Sequence, residues 1–135
     1  HHAKEESLLF PALARSGFPL EIGPVRVMLL EHDQGRALLR SMESAARRAA
    51  EGDKTAGLEA GRQARALATH LGQHIAKENN ILFPMADQTL PIEEQISLEK
   101  AFAELDEKDR QAGILSLWEA EARHISQGLA TQAGA

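Results

Sequence analysis

Histidine and glutamate recur in this chain at a spacing that suits metal ligation. His1 and Glu5, and again His74 and Glu78, stand four residues apart, which on a helix places both side chains on one face, one turn apart. The two pairs belong to a repeat. Residues 1–11 read HHAKEESLLFP and residues 74–84 read HIAKENNILFP, identical at seven of eleven positions. Helix propensity gives no reason to repeat His, Glu, Phe and Pro in one frame, so the two segments are expected to do the same job. The adjacent pair, His2 and Glu6, maps onto Ile75 and Asn79 and is the weaker candidate.

The elements that must position these residues are helices. Ala, Leu, Glu, Gln, Arg and Lys dominate, β-branched residues are few and no stretch alternates polar with apolar, so the fold class is all-α. Gly, Pro and Asp divide the chain into five predicted segments, over about 1–15, 24–50, 55–85, 92–109 and 112–129. Pro11 and Pro84, near the ends of the first and third, are expected to end or kink them. Short connections between long helices make neighbours antiparallel, which gives an up-and-down bundle.

Two of the segments carry an apolar seam in steps of three and four. It runs through Val25, Met28, His32, Gly35, Leu39, Met42, Ala46 and Ala49, and through Ala60, Ala64, Leu67, Leu71, His74, Glu78, Ile81 and Met85. The first segment begins a similar stripe from His1 and Glu5 through Leu8 and Ala12. His32, His74 and Glu78 thus occupy positions where apolar side chains belong. A carboxylate buried without a partner costs several kcal/mol, so it must be paired, protonated or bound to a cation. Imidazoles and carboxylates converging from several helices make a site suited to Fe, Mn or Zn, and a carboxylate from each of two helices can bridge two ions.

HHAKEE with LFP, EHDQGR over 31–36, and HIAKEN with LFP, in that order, resemble the hemerythrin-like HHE cation-binding domains over nearly the whole chain. The resemblance implies a four-helix bundle with a non-haem di-iron centre, two Fe ions bridged by carboxylates, with His1, Glu5, His32, His74 and Glu78 as ligands and His2 as a further one. The family pattern opens with one more His-bearing helix ahead of HHAKEE, and these residues contain no such segment. The chain is therefore expected to be a fragment, or to have that helix supplied by a second copy in a homo-oligomer. Since His32 precedes His74 by 42 residues, the further His is expected at a similar distance upstream of His1.

Other residues have plainer readings beside the sharper ones. His70, one turn before His74, is an extra ligand, a partner that orients His74, or a solvated or capping residue. Gly35 leaves room for an exogenous ligand or for close helix packing. Phe10, Phe83, Leu9 and Leu82 are expected to pack beside the metals. Arg36 is expected to pair with Asp33 or Glu31, His124 to be a surface residue, and Leu115, Leu117 and Trp118 to be core contacts of the last segment.

The 135 residues suit a single domain, against roughly 100 to 200 residues per domain, with metal-binding helices to about residue 90 and C-terminal helices over 91–135. Fifteen Lys and Arg against twenty Asp and Glu, with no basic cluster, give no footprint for nucleic acid. The longest apolar runs, such as 27–30, fall far short of the roughly 20 residues that cross a bilayer. With no cysteine and no signal segment, the expected location is cytoplasmic. Dinucleotide, phosphate and thiol motifs are absent from the sequence. Three functions remain, in this order: a non-enzymatic di-iron module that binds or senses O2, NO or iron; a di-iron oxidoreductase acting on peroxide or NO; and a bundle binding an incidental Zn ion.

Overall fold

A computed structural model describes residues 2–113. His1 and residues 114–135 lie outside the described residues, and with them most of the predicted fifth helix, including Leu115, Leu117, Trp118 and His124. The described chain is helical and contains no strand: α1 over 2–15, α2 over Gly23–Ala50, α3 over 56–89 and α4 over Ile92–Gln111. No helix among the described residues is long and apolar enough to cross a membrane.

The breaks follow local chemistry. After α1, Gly17 takes φ 98° and the Phe18 N–H donates to the Leu13 carbonyl at 3.0 Å, the glycine-closed helix end that only a residue without Cβ adopts cheaply. Pro24 lies in the first turn of α2, where a missing N–H costs nothing. Asp53 Oδ1 accepts the N–H groups of Thr55 and Ala56 at 2.9 and 3.2 Å, satisfying donors that the start of α3 would otherwise leave open. Pro91 holds Leu90 extended and so stops α3.

The chain divides into two compact units, residues 1–95 and 96–135. In the first, α2 and α3 form an antiparallel pair. Gly35 lies against His70, His32 against His74, and Arg48 donates to Glu59, so position rises along one helix as it falls along the other. α1 runs parallel to α3, with His2 beside His74 and Glu5 beside Glu78. The apolar core is Leu9, Phe10, Ala12, Leu13, Val25, Met28, Ala45, Ala56, Leu82, Ala86 and Leu90. Of the second unit the described residues are 96–113, and none of the residues of α4 is fully buried.

The prolines neither end nor sharply break their helices. Instead α1 and α3 each widen for one turn: Glu5–Leu9 and Glu78–Leu82 are π-helical, with the Phe10 N–H reaching back to the Glu5 carbonyl and the Phe83 N–H to that of Glu78. A prolyl ring clashes with the carbonyl four residues earlier; five-back bonding just ahead of Pro11 and Pro84 moves that carbonyl aside. The helices then continue to Arg15 and Thr89.

The wide turn also corrects the predicted seam. It inserts one residue, so the buried stripe advances by fours, from Glu5 to Leu9 and Leu13 and from Glu78 to Leu82 and Ala86. Leu8 is only half-buried and Ile81 is 53 % exposed, while Ala12 is buried as expected. In α2 the seam holds through Gly35 and then moves one position, burying Ala45 and leaving Ala46 and Leu39 exposed.

Candidate metal centre

Four buried polar side chains meet where α1, α2 and α3 come together: Glu5, His32, His74 and Glu78, none more than 2 % exposed. Their ligand atoms all lie within 4.8 Å of one another. His32 Nε2 is 3.1 Å from Glu5 Oε2 and 3.1 Å from His74 Nε2, and His74 Nε2 is 2.9 Å from Glu78 Oε1. The i, i+4 pair on α3 sits at the entry to the wide turn, and its counterpart Glu5 does so on α1. The repeat in sequence is therefore a repeat in backbone, and single π-turns within α-helices are frequent at functional sites.

Electrostatics separate the two carboxylates. Burial and the neighbouring Glu5 carboxylate push the Glu78 pKa up. Burial also acts to raise Glu5, but the hydrogen bonds that a charged His32 and the Glu78 carboxyl can donate to it outweigh this and hold Glu5 below the usual range. Two acids this close disfavour each other's ionisation, a cost that a cation bound beside them would relieve. Burial opposes charge on His32, yet hydrogen bonds to Glu5 and Glu6 raise its pKa. Donor types, convergence and dryness all suit a small cation preferring mixed N and O ligands.

The placement of the other predicted residues differs in part from expectation. His2, read as the weaker candidate, joins His32 and His74 in a second group of convergent donors. Its ring stacks on His32 with centroids 3.8 Å apart and meets the His74 ring edge-on at 5.1 Å. The parallel course of α1 and α3 brings it there, although its repeat partner Ile75 is 49 % exposed. Burial, with His32 and His74 close by, lowers the His2 pKa to about 4, leaving it neutral and able to ligate at neutral pH.

His70 points away from the cluster. Its Nε2 donates to the Glu31 backbone carbonyl at 2.8 Å, in the interior of α2, a contact between two helices and not the cap of a helix end. Gly35 faces that same ring: a Cβ there would lie 3.5 Å from His70, an ordinary contact, so the close approach of α2 and α3 here does not itself require glycine. Phe10 packs over His32 with centroids 5.6 Å apart. Arg36 donates to Asp33 at 2.7 Å, as expected, but its second partner is Glu6 at 2.8 Å; Glu31 is engaged by His74 and Lys77. Glu6 and Glu31 were missed as site residues. Glu31 directly precedes His32, but nothing in the spacing marks either acid, because their partners lie on other helices.

These features define a helical-bundle protein with a buried His and carboxylate cation site. The chain belongs to the hemerythrin HHE cation-binding domain family, whose model matches residues 1–86. No curated protein and no solved structure matches it.

Proposed function

We propose that this protein holds two iron ions in the cluster, bridged by Glu5 and Glu78 and completed by His32, His74, His2 and His1, and that it binds or senses O2, NO or iron itself without turnover. The observation that carries this reading is the convergence of two buried carboxylates and two imidazole Nε2 atoms from three helices. When bound, iron supplies Lewis acidity and redox chemistry at any coordination position the protein leaves open.

The chain's own residues set the surroundings. Phe10, fully buried, packs its ring on His32 and covers the cluster there. On the other side a cavity of about 390 Å³ is lined by His2, His74, Glu78 and Asn79 together with Leu71, Ile75 and Phe83. Its mixture of ligand residues and apolar wall suits a small uncharged molecule better than a charged one.

Elemental analysis after purification without chelators tests the reading. About two iron atoms per chain, with an optical change on adding NO or O2 to the reduced protein, is the expected result. Zinc in place of iron, with no response to either gas, would overturn it.

A further inference from the structure

Two more carboxylates stand behind the cluster, outside the repeated His and Glu pairs. Glu6 Oε1 lies 2.6 Å from His32 Nδ1, and Glu31 Oε2 lies 2.9 Å from His74 Nδ1. Each acid meets a cation: Arg36, which also holds Asp33, donates to Glu6 Oε1 at 2.8 Å, and the Lys77 ammonium donates to Glu31 Oε1. The Glu31 backbone is gripped as well, by His70. A carboxylate held ionised by a cation only accepts hydrogen bonds, so the imidazole nitrogen facing it must carry the hydrogen. In a neutral ring the other nitrogen is then a lone pair.

That logic applies to both histidines. His32 Nε2 and His74 Nε2, 3.1 Å apart, are left as two lone pairs aimed at the volume that Glu5 and Glu78 also face. We propose that Glu6 and Glu31 are positioning residues that fix His32 and His74 in the Nδ1–H tautomer and so present both Nε2 atoms to the metal. The inference rests on the reading that this cluster holds a metal. Each positioning acid comes from the helix before the histidine it serves: Glu6 of α1 acts on α2, and Glu31 of α2 acts on α3. Correct packing of three helices is thereby a condition for correct ligand orientation.

The test combines imidazole 15N NMR of the metal-free protein, at a pH where both rings are neutral, with Fe2+ titration against a competing chelator under anaerobic conditions. In the wild type both rings should be Nδ1–H. Glu31→Ala should give His74 a mixed or Nε2–H tautomer and weaken Fe2+ binding by about 10- to 100-fold, the usual cost of losing such a partner. Glu31→Gln, which keeps an acceptor oxygen, should retain the tautomer and most of the affinity; Glu6→Ala should do to His32 what Glu31→Ala does to His74. An Nε2–H ring in the metal-free wild type would overturn the proposal even if no alanine variant folds. So would alanine variants with wild-type tautomers and affinity. A wild type with the expected tautomers that takes up no iron would instead overturn the metal reading alone.

Discussion

Glu78 and Glu5 are the residues on which metal binding turns, because each is buried beside the other and beside a histidine. Glu78→Ala removes one of two carboxylates able to bridge ions, so it should lose at least one metal ion per chain by elemental analysis. It should lower the melting temperature of the metal-loaded protein only, since in the metal-free form the two close acids disfavour each other's ionisation and losing one removes that cost. His2 gives a prediction in pH. Its pKa falls from 6.5 to about 4 on folding, so the unfolded chain binds more protons than the folded one between those values. The contribution of His2 to stability is therefore full above about pH 6.5 and is lost as pH falls toward 4. Denaturant unfolding of metal-free His2→Gln should show a shallower decline than wild type across that window. Identical slopes would show that His2 is not neutralised by its surroundings.

At the scale of the element, the wide turns decide which side chains share a face. Glu78–Leu82 and Glu5–Leu9 each add a residue between the metal-facing acid and the apolar anchors that follow. Removing one exposed residue of such a turn restores ordinary helical spacing. The two parts of the helix then rotate relative to each other by about 100°, the angle per residue at 3.6 residues per turn. Deletion of Asn80 should therefore keep the helical circular dichroism of the protein while abolishing metal uptake, because His74 and Glu78 can no longer face the cluster while Leu82 and Ala86 stay in the core. Retained metal stoichiometry in that deletion would show that the extra residue has no part in forming the site.

For the whole molecule, the cluster links folding to cation binding. Glu6 with Arg36 and Glu31 with Lys77 form ion pairs between helices, while Glu5 and Glu78 are buried at the point where α1, α2 and α3 meet. A cation bound there ties the three helices together and has no equivalent site in the unfolded chain. Free metal at about 100 times its dissociation constant should stabilise the fold by about 2.7 kcal/mol. Thermal melts with and without a chelator read that difference. Melting temperatures that ignore both metal and chelator would separate the cluster from the stability of the bundle.

The helices of residues 2–111, their breaks at Gly17, Gly52 and Pro91, the two His and Glu pairs, and the family are all legible in the residues alone. All of these are local: capping chemistry, an i, i+4 spacing and a repeated string act within a few turns and need no knowledge of neighbours. Tertiary structure alone decided that Leu9 and Leu82 are buried where Leu8 and Ile81 were expected, because a helix widens only if the packing around it accepts the extra residue. It also decided that His2 stacks on His32, that His70 holds a backbone carbonyl, and that Glu6 and Glu31 stand behind the histidines. The last two contacts join residues 26 and 43 positions apart. Contacts over such separations depend on the register between helices, which hydrophobic periodicity along one strand of sequence does not encode.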